Sequence, residues 1–167
     1  MHRLRRLCGC MPGECDIQGI KVMNIEVKAI GVIHTPFKTK EETPIQPHWS
    51  KAIGEVEVFK KYAKGLEGIE QFSHLILIYY FHKIKDERLK VKPYLDTKMY
   101  GVYATRHPHR PNHIGISVVK LISRNKNILK VKNIDIIDGS PLLDIKPYVS
   151  VFDRIEKVKN GWLKKKL

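Results

Sequence analysis

The sequence predicts a mainly β protein: a single antiparallel sheet curled into a barrel, with one or two short helices. Strand-type segments, with alternating or β-branched residues, recur through residues 25–137 and end in turn residues. Strands do not alternate repeatedly with long helices, which disfavours a doubly wound parallel sheet. Closing the sheet into a barrel would pair edges that otherwise stay open to association.

The first predicted strands differ in pattern. Segments 25–33 (IEVKAIGVI) and 54–59 (GEVEVF) mix β-branched and polar residues, whereas segment 72–82 (FSHLILIYYFH) is almost continuously apolar. Such an apolar run is typical of a strand covered on both faces. One helical candidate, residues 58–71, is short because its glycines limit its length.

Further predicted strands follow a long polar connection, residues 85–98, and a second such connection, residues 36–49, precedes them. Loops of this length are often functional. The RNKN stretch suits a tight turn between the last two strands. The remaining predicted strands are 100–106, 114–124 and 127–137.

Residues 1–22 are expected to be a disordered extension, residues 23–150 the barrel domain, and residues 151–167 a basic tail. All three cysteines, Cys8, Cys10 and Cys15, lie in the extension, so the body holds no cysteine for a disulfide. A core-stabilised domain of this kind is typical of intracellular proteins, and we expect a cytoplasmic location. No sequence window has the uninterrupted apolar length of a membrane span. Three thiols without a fourth ligand do not predict a metal site.

The charge balance points toward polyanions. The 167 residues include 31 Lys and Arg against 17 Asp and Glu, a formal net charge of +14. This excess favours a nucleic-acid partner, although a generically basic protein would show it too.

One loop, TRHPHRPNHIGIS at 105–117, carries more donors than a connection needs. Prolines stiffen it, and the guanidiniums of Arg106 and Arg110 suit a carboxylate or phosphate because they donate paired hydrogen bonds. Either arginine could instead close an internal salt bridge. The loop histidines could bind a metal or be solvated, and without an acidic ligand we expect no metal.

A second constellation is DIIDGSPLLDIKPY at 135–148. Asp138 and Ser140 flank a glycine that permits close backbone approach to a ligand, although the stretch also reads as a plain turn. On an extended segment Asp144 and Lys146 share a face and could pair, or Asp144 could face an arginine. In the apolar strand, His82 is a site candidate and His74 a structural histidine.

Several enzyme classes lack support. The chain has no Gly-rich phosphate loop between a strand and a helix, no G-x-S-x-G motif and no cysteine beyond Cys15. Nucleotide hydrolysis, conventional dinucleotide binding and acyl or thiol catalysis are therefore disfavoured.

Four segments together resemble the TsaA-like, or TrmO-type, family in its short archaeal-style form. They are IGVIHTPF, FSHLILIYYFH, GVYATRHPHRPNHIGISVVKL and IDIIDGSPLLDIKPY. The resemblance implies an S-adenosylmethionine-dependent tRNA methyltransferase: a homodimeric β-barrel that binds the cofactor near the subunit interface. The implied acceptor is N6 of threonylcarbamoyl-adenosine beside the anticodon of a threonine tRNA.

The resemblance also implies site residues. The expected cofactor contacts are Pro47, His48, Trp49, His82, Lys83, Arg106, Ile116, Asp138, Gly139, Ser140 and Pro141. For catalysis we expect Arg106 or Arg110 to hold a carboxylate of cofactor or substrate. Asp138 or a loop histidine would assist removal of the N6 proton.

Two alternatives stay open at this point. A noncatalytic RNA-binding barrel would use the cationic loop and aromatics such as Trp49 and Tyr148, and would not bind the cofactor. A methyltransferase acting on a small molecule would bind the cofactor and ignore tRNA.

Overall fold

The computed structural model describes residues 14–17, 20–23 and 25–165. Near the start of the chain, β1 (Glu14–Ile17) and β2 (Ile20–Met23) pair as an antiparallel hairpin. This hairpin falls largely within the predicted extension, whose residues 1–13, with Cys8 and Cys10, lie outside the described residues. The division of the chain at residues 22 and 150 stays a prediction.

Six strands form a closed antiparallel barrel, as the sequence predicted. Around the barrel each strand bonds to the next in the order β10, β3, β4, β9, β8, β5, and β5 closes on β10. The barrel strands are β3 (Gly31–His34), β4 (Ile53–Val58), β5 (His74–Tyr80), β8 (Ile114–Asn125), β9 (Ile128–Lys132) and β10 (Ser140–Pro147).

The longest pairing, β5 with β8, places Tyr79 opposite Gly115 and Leu77 opposite Ser117. Side chains alternate along these strands, so Leu75, Leu77 and Tyr79 point inward and are buried. The fully buried core includes Ile33, Val56, Leu75, Leu77, Val119, Leu129, Val131, Ile134 and Leu142.

The outer face of β5 and β8 is apolar as well. The sequence predicted cover on both faces of β5, but within one chain only the inner face is buried. Cross-strand partners on the outer face include Ile78 with Ile116 and Ile76 with Val118. We call this surface the outer apolar patch; its members are Ile76, Ile78, Tyr80, Ile114, Ile116 and Val118.

The predicted helix at 58–71 is wrong in type. Val58 ends β4, and 3₁₀ turns follow at Lys60–Leu66 and Ile69–Gln71. Gly68 separates them with φ of +80°, a left-handed conformation that a continuing helix excludes. A short helix that the sequence did not predict, α1, spans Ser150–Asp153.

Three predicted strands differ in extent. Residues 25–30 lie outside the barrel ladders, although Ile30 donates its N–H to the carbonyl of Leu142. The predicted strand at 100–106 is shortened to β7 (Tyr100–Gly101), because a 3₁₀ turn covers Val102–Ala104. β7 pairs with β6 (Lys90–Val91), which lies in the polar connection. The last strand ends early because Asn133 takes a φ of +66°.

Strand β10, which completes the barrel, was not predicted as a strand. Its Asp144 and Lys146 form an ion pair with a 2.9 Å Nζ to Oδ2 distance, which confirms the first of the two pairings expected for Asp144. None of the helices in the described ranges has the length and apolar character needed to cross a membrane.

Candidate functional site

Most of the predicted site residues lie at one end of the barrel, which we call the site end. Here β3 and β5 finish, and β8 and β10 begin, because neighbouring strands are antiparallel. Three connections meet there: the loop before β4, the loop before β8 and the turn before β10.

The turn before β10 is fixed by the end of β3. The N–H of Gly139 donates to the carbonyl of Ile33, and Gly139 has φ of +75°, which favours glycine. The Asp138 carboxylate accepts hydrogen bonds from the Thr35 N–H at 2.9 Å and the Lys38 ammonium at 2.6 Å. The hydrogen bond from Lys38 and the bond from Thr35 lower the pKa of Asp138.

His82 lies against the same turn. Its Nδ1 is 3.3 Å from the hydroxyl oxygen of Ser140, and that hydroxyl donates to the carbonyl of Ile137. Burial lowers the pKa of His82, and the neighbouring charge of Lys83 lowers it further. The imidazole is therefore neutral at physiological pH, so it adds no positive charge to the site end.

Arg106 connects two of the loops. Its guanidinium donates to the side-chain oxygen of Gln46 at 3.0 Å, and Gln46 begins the 3₁₀ turn Pro47–Trp49. Ser50, just after that turn, is buried and donates through its hydroxyl to the carbonyl of Ile134. Since Arg106 is exposed, its remaining donors are available to a ligand.

Arg110 is used differently. One terminal nitrogen donates to the carbonyls of Thr105 at 2.8 Å and Val102 at 3.2 Å, and the guanidinium lies 5.7 Å from the ring centre of Tyr103. These contacts hold the loop in shape. The geometry thus separates two arginines that the sequence treated alike.

The loop histidines face Asp86, in the polar connection. The Nδ1 of His109 is 2.7 Å from the Asp86 carboxylate, and Nε2 of His113 is 3.1 Å from the Asp86 carbonyl. His107 packs beside His109, with 5.0 Å between ring centres. This cluster ties the loop to the connection before β6.

Ile116 is placed apart from the other predicted residues. It lies on the outer apolar patch, with 54% of its surface exposed, while its neighbour Ser117 points into the barrel. Trp49, in the 3₁₀ turn before β4, is 47% exposed. One chain therefore presents the candidate contacts partly at the site end and partly on the outer patch.

A buried polar cluster that was not predicted from the sequence lies inside the site end. The Ser117 hydroxyl donates to the Asp135 carboxylate at 2.6 Å, and the Tyr79 hydroxyl lies 3.4 Å from the Ser117 hydroxyl. Ser117 is 2% exposed and Tyr79 is 5% exposed. A carboxylate set between two isoleucines in the apolar run IDII was the available signal, because Asp is seldom buried without a partner.

The pKa values of the two carboxylates at this end, Asp135 and Asp138, are shifted in opposite directions. Burial raises the pKa of Asp135 to about 6, although the Ser117 hydrogen bond, its own backbone and the charge of Arg106 oppose the increase. The pKa of Asp138 is lowered, as described above. Environments that separate two such pKa values are characteristic of acid–base sites.

The arrangement combines groups of different chemistry. It offers an exposed guanidinium for an anion, an exposed indole for a flat ring, a neutral imidazole, and a half-buried carboxylate with a raised pKa. Such a set can bind an anionic group and a flat aromatic ring, and it can accept a proton.

The chain is similar in sequence to proteins of one family. The family model of the tRNA-methyltransferase O N-terminal domain matches residues 32–154. A probable S-adenosyl-L-methionine-binding protein of Pyrococcus abyssi is 55% identical over 139 residues, which cover 83% of this chain and 76% of that protein. The tRNA (adenine(37)-N6)-methyltransferase of Homo sapiens is 34% identical, and the match covers 90% of this chain and 35% of that protein.

A solved structure has the same fold. The crystal structure of TrmO from Pseudomonas aeruginosa matches with a TM-score of 0.72 at 39% identity, covering 83% of this chain and 62% of that one. The chain thus spans less than two thirds of the human enzyme and of this crystallised protein. Since the family model covers most of the chain and the barrel matches a solved member, this protein belongs to the tRNA-methyltransferase O family.

Proposed function

We propose that this protein is an S-adenosylmethionine-dependent methyltransferase that methylates N6 of the adenosine beside the anticodon of tRNA, adenosine 37. The observation that carries the proposal is the exposed Arg106, which Gln46 holds at the site end. The same end of the barrel carries the Asp138–Pro141 turn, with His82 against Ser140. Relatives named for cofactor binding and for tRNA adenine-N6 methylation support it.

The residues at the site end fit the cofactor. Arg106 suits its carboxylate, the exposed indole of Trp49 suits its adenine, and the neutral imidazole of His82 avoids repulsion of its sulfonium. Pro47, His48, Lys83, Ile116 and the turn residues Asp138, Gly139, Ser140 and Pro141 are the further contacts we propose. When bound, the cofactor supplies an electrophilic methyl group on a sulfonium, so the protein's main task is alignment.

We further propose that the acceptor base carries a threonylcarbamoyl group and belongs to a threonine tRNA. That group has a carboxylate, and the positive charge of the loop before β8, which carries arginines at 106 and 110, favours an anionic group on the acceptor base. The net charge of +14 supports a polyanionic substrate, and such an enzyme would work in the cytoplasm.

A homodimer is part of the proposal. In the outer apolar patch, Ile116 is 54% exposed, Ile114 41% and Val118 39%, at alternate positions of β8. A contiguous apolar surface of this kind marks a protein–protein contact. A second copy seated there would also bring Ile116 close to a cofactor bound at the interface.

The test is methylation of tRNA. The protein is incubated with methyl-labelled S-adenosylmethionine and total tRNA, and the nucleosides are then separated. We expect label in threonylcarbamoyl-adenosine and none in tRNA prepared without that modification. Failure to bind the cofactor would instead favour a noncatalytic RNA-binding barrel, and cofactor binding without tRNA methylation would favour a small-molecule substrate.

A matched pair of arginine variants links the activity to the site. Arg106→Ala removes the exposed guanidinium of the site end and should abolish turnover without loss of fold. Arg154→Ala removes an exposed guanidinium beyond the barrel, where its partner is Glu156 at 3.5 Å, and should retain activity. Equal activities of the two variants would contradict the role of Arg106.

A further inference from the structure

The carboxylate of Asp135 is oriented by contacts from two barrel strands. Ser117, on β8, points into the barrel and donates to Oδ1 of Asp135 at 2.6 Å. Tyr79, on β5, packs behind with its hydroxyl 3.4 Å from that of Ser117. Two paired strands therefore set the orientation of the carboxylate, as a group used in chemistry requires.

The second oxygen of this carboxylate remains available. Hydrogen bonds to other described residues reach only Oδ1, and Oδ2 is not a buried atom without a partner. Asp135 is half-buried, so part of the residue remains accessible. The charged or titratable groups that face the side chain are Tyr79 from β5 and Arg106 from the loop before β8.

The environment makes Asp135 a better base than an ordinary aspartate. Burial raises its pKa to about 6, so it is ionised at neutral pH and still has a useful affinity for a proton. The pKa of Tyr79 is raised by its own burial and by the charge of Asp135, so the phenol stays protonated and does not compete.

The other acid–base candidates are less suitable. Both oxygens of Asp138 accept hydrogen bonds, from Thr35 and Lys38, and its pKa is lowered. His109 and His113 are directed at Asp86, in the polar connection. Burial lowers the pKa of His107, which packs on His109.

From this arrangement we propose that Asp135 accepts the proton that leaves the acceptor nitrogen during methylation. The inference rests on the proposed function and adds a proton acceptor to it. Ser117 acts through Asp135, as a positioning residue that orients the carboxylate and stabilises its charge.

The step balances with these groups alone. The N6 nitrogen forms a bond to the methyl carbon, the carbon–sulfur bond breaks, and its electron pair stays on sulfur. The proton of N6 passes to Oδ2 of Asp135. The positive charge of the sulfonium and the negative charge of the carboxylate are therefore lost together. Water at the half-buried carboxylate then takes the proton away.

The first test measures the pKa of the Asp135 carboxyl in the absence of turnover. Carbon-13 NMR of labelled aspartate in the free protein should show one carboxyl that titrates near pH 6 and is missing in Asp135→Asn. Ser117→Ala should move that midpoint upward, because a hydrogen bond to the charged form is lost. An unchanged midpoint in Ser117→Ala would overturn the positioning role.

The second test separates chemistry from binding. In single turnovers on threonylcarbamoylated tRNA, the wild-type rate should rise with pH to a plateau above a midpoint near 6. Asp135→Asn should lose roughly 100-fold or more in rate and lack that rise. Its S-adenosylmethionine Kd should stay within about threefold of wild type, a difference under about 1 kcal/mol.

The outcomes distinguish the two proposals. A wild-type rate in Asp135→Asn would overturn the proton acceptor and leave the proposed function intact. Loss of cofactor binding together with rate would make Asp135 a binding residue and would also overturn it. If wild type itself does not methylate tRNA, both fail. Should Asp135→Asn not fold, Asp135→Glu with a displaced pH midpoint supports the proposal, and an unaltered profile refutes it.

Discussion

Gly115, on β8, lies close against two aromatic side chains of the site end. A Cβ at this position would lie 2.5 Å from Cζ of Tyr79, 2.6 Å from its Cε2 and 2.9 Å from Cζ of Phe81. Carbon atoms pack at about 3.5–4.0 Å, so Gly115→Ala forces the Tyr79 ring or the strand to move by about 1 Å. We therefore expect a loss of stability.

The size of the loss follows from two opposing effects. Overpacking of a buried contact costs about 1–3 kcal/mol. Replacing glycine by alanine restricts the unfolded chain and returns about 0.4–1 kcal/mol. The net expectation is a decrease of about 0.5–2 kcal/mol in the free energy of unfolding, with a Tm lower by roughly 2–4 °C per kcal/mol.

Urea unfolding at one fixed protein concentration measures this change, with an unaltered m-value as the sign of a pure stability effect. Gly101→Ala is the matched control. It has nothing within 4 Å of a built Cβ, and its φ of −59° and ψ of 139° suit alanine. We expect that variant to be neutral or slightly more stable. If both variants unfold at the same urea concentration, the packing argument for Gly115 is wrong.

Three further outcomes are expected. Folding raises the pKa of Asp135 from about 3.9 to about 6. The stability of wild type relative to Asp135→Asn should therefore fall by about 2 kcal/mol as pH rises from 4 to 6, and a flat difference would contradict this. Val118→Asp should dissociate the proposed dimer in sedimentation experiments, whereas Ile53→Asp, exposed by 48% outside the outer apolar patch, should not. Arg110→Ala should cost about 1–3 kcal/mol, since two loop carbonyls lose their donor, and Arg106→Ala less than about 0.5 kcal/mol; equal thermal shifts would refute the distinction.

Periodicity was sufficient for most of the fold. Alternation and β-branched runs identified β4, β5 and β8 close to their true ends, and the mainly β antiparallel barrel is confirmed. It was not sufficient for β10, where prolines at 141 and 147 and the adjacent turn hid the strand pattern. Proline is tolerated there because the two residues stand near the strand's ends.

The sequence predicted many of the residues of the site but not how they are arranged. The sequence predicted the same role for Arg106 and Arg110. Only the conformation of the loop shows that the Arg110 guanidinium donates to loop carbonyls, whereas that of Arg106 donates to Gln46. Asp135 carried a weak signal, since its partner Ser117 is 18 residues away and the contact depends on how β8 pairs and points inward. Such couplings arise from the closed sheet and have no local signature.

Strand β10, the last of the barrel, is inserted between two strands that come much earlier in the chain. It bonds to β3 on one side and to β5 on the other. During synthesis the sheet β3–β4–β9–β8–β5 can therefore form while its edge strands, β3 and β5, are still unpaired on their outer sides. A chain that stops before residue 140 would expose those edges to other nascent chains, so misassembly of truncated products is built into this topology.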